Sequence, residues 1–295
     1  VTTLHNPPPL LPSWLRALTG GGKRLAVGAS IPSLELGLAP RTVDPKLLAK
    51  YRKLCGFPQA LAGSTGDTLP LTLPQVLAGP LHVAMLTDPK FPLPAMGIVH
   101  LRNRIEQTEA LRVDQPFGLH AAIVAHRQVP QGIEFDVRTV ATVEGREVWQ
   151  SVLTALSRTP TPKSKSKTPK EKRAEAEVLP APDRSLLLRV PEDIGRRYAR
   201  VAGDWNPIHQ HAISAKLFGF PRAIAHGMWS LARCVAEVQD DVPAGPLVCE
   251  VTFKRPVLLP SKVAILAWRQ DGGVTFQLVA AAGSTVHLTG SLGKL

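Results

Sequence analysis

The chain has 295 residues, 44% apolar and 20% charged, and carries a net charge of +12. That is enough apolar material for two cores of ordinary size, so a disordered chain is excluded, and no run of about 18 apolar residues predicts a membrane-spanning helix. The N-terminal residues show neither a basic segment leading into an apolar one nor a small-residue cleavage site, and Cys55, Cys234 and Cys249 are scattered without a C-x-x-C spacing. The expectation is a soluble cytoplasmic protein with reduced thiols, not a disulfide framework or a thiolate zinc site.

In chain order, the first 30 or so residues, rich in Pro and Gly, predict an irregular arm. Within it "LTGGGKR" (18–24) lacks the Walker spacing and the Ser/Thr after Lys, and reads as a turn. An apolar helix is expected over Leu77–Leu86, and Phe135 and Val137 alternate with Glu134, Asp136 and Arg138 as in a half-buried strand. The stretch "RTPTPKSKSKTPKEKR" (158–173) then holds seven basic residues against one acidic, half of the net charge, with no apolar residue to offset its ordering entropy. It reads as a solvated linker, which argues against nucleic acid as a partner. The expected organisation is residues 1–157 as a first domain, 158–180 as linker and 181–295 as a second domain.

The two halves share a spacing. "YRKLCG" (51–56) precedes Gly79 by 23 residues from its glycine, and "YARVAG" (198–203) precedes Gly227 by 24; "GIEF" places Phe135 after Gly132, and "GVTF" places Phe276 after Gly273. Their common order predicts an internal duplication. In the second half Met228, Leu231, Ala232, Val235 and Val238 form a helical stripe. Beyond it Cys249, Val251 and Phe253 alternate with Glu250, Thr252 and Lys254, and Val274, Phe276 and Leu278 alternate with Thr275 and Gln277, the period of antiparallel strands. One apolar helix among strands joined too closely for parallel crossovers gives an α+β class, a sheet wrapped on a single helix, twice.

"YARVAGDWNPIHQHAISA" (198–215) followed by "AIAHGM" (223–228) resembles the signature of the MaoC-like, or hydratase 2, family of the hot-dog superfamily. The resemblance covers about 30 residues. It implies a double hot-dog forming a pseudo-dimer, and (R)-specific hydration of 2-enoyl thioesters, or the reverse dehydration of 3-hydroxyacyl thioesters, carried on coenzyme A or acyl-carrier protein in fatty acid metabolism. Asp204 and His209 would be the catalytic pair, on a segment overhanging the central helix of the other hot dog, and the Gly227 N–H the oxyanion donor. No metal or redox cofactor is implied, and the chain would be a monomeric pseudo-dimer or a homodimer.

The residues suit such chemistry. A free imidazole titrates near about 6.5 and a carboxylate near about 3.9, so the pair can share one water, and which of them takes its proton is left open. A helix beginning at Gly227 offers unpaired N–H groups to a developing oxyanion. Pro207 biases Asn206 to extended geometry, so Asn206 and Pro207 read as shaping the loop, with His226 as a residue packed beside the helix start. Arg222, Lys254 and Arg255 are candidates for carrier phosphates. By the aligned glycines Asp204 corresponds to Phe57 and His209 to Ala62, which predicts a catalytically dead first copy whose Leu77–Leu86 helix lines an acyl chain. Val235 stands where some relatives carry a serine near the catalytic pair.

Competing readings exist. His209, His211 and His226 form no recognisable metal spacing, and His211 reads as polar surface. Asp204 could merely cap a helix. A hot-dog thioesterase, or a non-catalytic module binding acyl chains or nucleic acid, would share much of the pattern.

Overall fold

The computed structural model describes residues 2–19, 23–26, 29–59, 67–158, 180–283 and 285–295. Most of the linker expected over 158–180 lies outside them, as do Ala62 and the glycines of "LTGGGKR". The first half runs β1 (Thr2–Leu4), α1 (Leu10–Thr19), β2 (Glu35–Arg41), α2 (Pro45–Cys55), α3 (Leu73–Leu77), α4 (Gly79–Leu86), β3 (Ile98–Gln107), β4 (Phe117–Val129), β5 (Gly132–Val143) and β6 (Arg146–Arg158). The second runs β7 (Arg184–Val190), α5 (Ile194–Ala202), α6 (Ala212–Leu217), α7 (Gly227–Val238), β8 (Leu247–Phe253), β9 (Ser261–Gln270), β10 (Gly273–Ala280) and β11 (Val286–Lys294).

These strands form one sheet in the order β1-β2-β4-β5-β6-β3-β8-β11-β10-β9-β7. Read outward from its middle, β3-β6-β5-β4-β2 and β8-β11-β10-β9-β7 are the same arrangement twice, the α+β double hot-dog expected from the sequence. Every pairing between these ten strands is antiparallel, and the halves join where β3 meets β8, with Ile105 opposite Cys249 and Asn103 opposite Val251. Those four side chains are buried. On the opposite face Arg104 pairs with Glu106 and Glu250, exposed contacts that contribute little beside the apolar ones.

The duplicated residues occupy equivalent places. Tyr51 and Tyr198 are both buried, with ring centroids 6.5 Å apart across the centre of the molecule. Gly56 and Gly203 both end a helix in the left-handed conformation, at φ 80° and 71°, which glycine adopts without the Cβ penalty. Gly79 and Gly227 both open a helix. Phe135 and Phe276 both fill the sheet's inner face.

Two expectations need correction. The helix predicted over Leu77–Leu86 is interrupted at Ala78, and its regular part begins at Gly79; Pro80 lacks the N–H that would continue the ladder to Val76, so the chain restarts a helix there. The N-terminal arm is not irregular throughout. β1 adds a parallel strand to β2, and α1 packs on α4, buries Ala17, and sends the Trp14 indole N–H to the Gly203 carbonyl at 3.3 Å. Proline confined to the stretch before the helix and to its first turn leaves the remaining residues free to dock.

The halves lock through their helix ends. Arg233 of α7 donates to the Cys55 carbonyl at 2.7 Å, and Trp229 donates to the Leu54 carbonyl at 3.2 Å, capping α2 from the other half. A Cβ on Gly56 would stand 1.3 Å from Arg233 Nη1. Gly56→Ala is therefore expected to lower stability by about 1–3 kcal/mol from backbone strain alone, with displacement of Arg233 in addition; urea denaturation measures it, and a change within error would contradict this account of the joint.

Candidate active site

The site grows from the end of α5. Gly203 turns the chain out of the helix, and Asp204 follows with Oδ1 accepting the Asn206 N–H at 3.1 Å. Asn206, held extended at ψ 125° before Pro207, accepts the Ile208 N–H on its own Oδ1 at 3.3 Å, which starts the short 3-10 turn Pro207–His209. Asp204 is thus tied to its own loop and does not cap a helix. The turn carries the buried His209 inward, where its Nδ1–H donates to the Ile224 carbonyl at 2.8 Å. A carbonyl can only accept, so the neutral ring keeps its proton on Nδ1 and presents the Nε2 lone pair.

His226 immediately precedes α7 and does more than pack beside the helix start. Its Nε2–H donates to the Asp204 carbonyl at 3.0 Å, and its ring stacks on His209 with centroids 3.6 Å apart. The Tyr198 ring lies 4.9 Å from it on another side. Burial pushes the His226 pKa down to about 3, assisted by His209 and opposed by Asp204. The 3.7 Å approach of His226 Nε2 to Asp204 Oδ2 is consequently not an ion pair at neutral pH, and the bond to the carbonyl is the contact that counts. Burial also lowers the pKa of His209, opposed by Asp204 and by the bond to Ile224.

Among the described residues Asp204, His209 and His226 bring ligand-type atoms within 4.8 Å of one another. This is a different trio from His209, His211 and His226: His211 sits exposed ahead of α6, beside Arg196. The new trio is poorly disposed for a metal. Stacked rings at an interplanar angle of 25° run their in-plane lone pairs side by side instead of converging them on one ion.

Asp204, His209 and Gly227 open onto one cavity of about 420 Å³ walled by both halves. Gly227 N–H belongs to the first turn of α7, whose donors have no intrahelical acceptor. A Cβ at Gly227 would meet the Phe253 ring at 3.1 Å, so the bare glycine lets that ring pack against the start of α7. The overhanging segment reaches α4 of the other half, where a Cβ on Gly79 would lie 3.2 Å from the Ala202 carbonyl. Lys254 and Arg255 are exposed and line the cavity, joined by Arg158, which the sequence reading counted only as linker charge. Arg222 is outside the lining and donates to the Pro260 carbonyl at 3.3 Å. Val235 is buried in the core, and Ser230 is the α7 hydroxyl that faces the cavity. At the equivalent place in the first half, Phe57 is buried and stacked on Tyr51, so that copy has an aromatic plug where the second has a carboxylate.

Sequence reasoning missed Gly195, Tyr198 and the partner role of His226. A Cβ on Gly195 would fall 1.9 Å from the His209 carbonyl oxygen, so only glycine lets α5 carry the turn this closely. The buried Tyr198 hydroxyl has no hydrogen-bond partner among the described residues. No spacing rule signals either, since the contacts exist only once α5 and the turn pack.

The lowered pKa of His226 fixes a pH dependence. A buried ring whose folded pKa lies below its unfolded value of about 6.5 contributes full stability above that value and loses it as pH falls toward about 3. Each pH unit in that window approaches about 1.4 kcal/mol for one such ring. Urea denaturation at pH 7 and pH 5 is expected to show lower stability at pH 5 with a smaller difference in His226→Gln; equal slopes in the two proteins would refute the assignment.

The chain matches the family described as MaoC like domain over residues 163–290. It is 32% identical over 282 residues to 3-hydroxyacyl-thioester dehydratase X of Mycobacterium tuberculosis, spanning 96% of this chain and 97% of that protein. Its structure is similar to the crystal structure of HtdX of Mycobacterium tuberculosis, with a TM-score of 0.74 and 30% identity over 89% of this chain and 100% of that one. Another Mycobacterium tuberculosis protein, described as having a double hotdog fold, is similar at a TM-score of 0.57 and 14% identity over 94% of this chain and 99% of that one, a likeness of fold alone. A relative of that identity along nearly the whole length makes the chain a member of the MaoC-like family of double hot-dog proteins.

Proposed function

We propose that the protein is a hydro-lyase, an (R)-specific 2-enoyl-thioester hydratase running in reverse as a 3-hydroxyacyl-thioester dehydratase. The observation that carries this reading is that Asp204, a His209 whose Nδ1–H is committed to the Ile224 carbonyl, and Gly227 at the start of α7 line one cavity. In the hydration direction a water held between carboxylate and imidazole attacks C3 while His209 Nε2 takes its proton. The electron pair of the double bond moves toward C2 and the thioester oxygen, where the Gly227 N–H and the start of α7 stabilise the enolate. His209 then returns the proton to C2, leaving the hydroxyl on C3, so one water is consumed and no redox step occurs. Asp204 orients the water and stabilises the transient imidazolium. The reaction needs no metal or redox cofactor.

Lys254, Arg255 and Arg158 at the rim suit the phosphates of coenzyme A or the phosphopantetheine and acidic surface of acyl-carrier protein. Either carrier suits a role in fatty acid metabolism. The described residues include no helix long and apolar enough to cross a membrane, and the three free, buried thiols suit a reducing cytoplasm. Pairing of β3 with β8 supplies within one chain the partner that a single hot dog needs, so a monomer is sufficient for activity.

Absorbance assays with 2-enoyl-coenzyme A test the reading. Asp204→Asn and His209→Ala are each expected to lower kcat by at least about 100-fold with the fold intact. Undiminished turnover in both would end the assignment, and release of free coenzyme A thiol with the 2-enoic acid, in place of a 3-hydroxyacyl thioester, would replace it with thioester hydrolysis. Gly195→Ala, which touches no substrate, is expected to lower kcat by about 10–100-fold with little change in KM, because the His209 backbone must move; wild-type kcat in that variant would show that the turn tolerates displacement.

A further inference from the structure

The first half gives the cavity one face of α3 and α4. Gln75 and Val76 of α3 and Gly79, His82, Val83 and Leu86 of α4 line it, the α4 residues along one side of their helix. Farther along, Phe135, Val137 and Leu153 supply an apolar wall, as an alkyl chain requires. Gln75 and His82 break that pattern. Gln75 is 3% exposed, and its amide oxygen is buried with no hydrogen-bond partner among the described residues. On α4, His82 is anchored through Nε2 to the hydroxyl of the fully buried Thr139 at 2.8 Å, which leaves Nδ1 as the ring nitrogen available to a ligand. Gly79, between them in sequence, adds no side chain to the cavity wall.

Neither group takes part in the chemistry at Asp204 and His209. A saturated alkyl chain pressed along this face would keep water from the His82 nitrogen and offer neither group a hydrogen bond, which disfavours such a chain against one that carries a hydroxyl. Burial holds the His82 pKa down to about 4, so at neutral pH the ring is uncharged, with one donor and one acceptor. That pairs with a hydroxyl, which is itself donor and acceptor, and not with a carboxylate, which would call for a cation.

We infer that the acyl part of the cavity recognises thioesters whose chain carries a hydroxyl group beyond C3, hydrogen-bonded by the Gln75 amide or by His82. The inference rests on the thioester reading of the same cavity, and its test separates the two. Octanoyl-coenzyme A and its 5-, 6- and 7-hydroxy derivatives have no double bond or 3-hydroxyl to react, so calorimetry reads affinity apart from catalysis. At least one hydroxylated chain is expected to bind the wild-type protein at least about 10-fold more tightly than octanoyl-coenzyme A. The double variant Gln75→Met, His82→Leu is expected to bring the ratio within about twofold, chiefly by tightening octanoyl-coenzyme A. Octanoyl-coenzyme A binding as tightly as every hydroxylated chain in the wild type would overturn the inference with no variant needed, as would a failure to bind any of the four or a preference that survives the double substitution. Turnover of 2-octenoyl-coenzyme A, measured alongside, judges the hydratase reading alone: absent turnover with the preference intact sinks that reading and keeps the hydroxyl site, and turnover without preference does the reverse.

Discussion

The bond from His226 Nε2–H to the Asp204 carbonyl is short in sequence terms, 22 residues, yet the whole site depends on it. It ties the loop that carries the carboxylate to the residue immediately before α7, whose first N–H groups face the cavity. Stacked on the same ring, His209 inherits its orientation from His226 on one side and from the Ile224 carbonyl on the other. The three groups of the proposed chemistry, from two segments, are thereby fixed to one another through neutral contacts, and the loop's own bonds, Asp204 to the Asn206 N–H and Asn206 to the Ile208 N–H, keep it from relaxing independently. Preorganisation of this kind removes the entropy that a mobile loop would lose at each turnover.

Duplication followed by divergence explains why one chain holds one such site. Both halves keep what the sheet requires: the buried tyrosine, the left-handed glycine and the glycine that opens the central helix. The first half replaced the carboxylate position with Phe57, which stacks on Tyr51 and fills the space with apolar surface. Freed from chemistry, its α4 face became wall for the other half's cavity. The β3–β8 joint holds the division of labour in register, because slipping it by one residue would turn Ile105 and Cys249 outward.

Much of this was legible in the sequence because it rests on local rules. Period-two alternation located β8 and β10, the stripe of Leu231, Ala232, Val235 and Val238 located α7, and the glycine spacing exposed the repeat. The Asp204, Asn206, Pro207 and His209 run was visible because its members bond within a few residues of each other. What escaped depends on contacts between distant segments. α1 is helical because its Trp14 and Ala17 find α5's end and the core, information absent from a Pro-rich stretch. Gly195 looks ordinary until the His209 backbone lies against it. Arg222 seemed placed for phosphate by its nearness to the site helix in sequence, but the chain turns it toward Pro260.

The distribution of charge in the cavity has a physical logic that follows from burial. Cations stand at the rim, on Lys254, Arg255 and Arg158, where water screens them and a phosphate can displace that water without a desolvation penalty on the scale of a buried ion. Inside, the histidines are held neutral, and the enolate oxygen would meet backbone dipoles in place of a fixed cation. Burial lowers the His209 pKa and keeps its lone pair open to a water, while the nearby Asp204 carboxylate opposes that shift and would steady a proton on the ring. The two effects oppose each other by necessity. Burial favours the neutral ring and the carboxylate favours the imidazolium, so the two bear on opposite protonation states of the same residue, the two states a proton carrier in the proposed reaction has to visit.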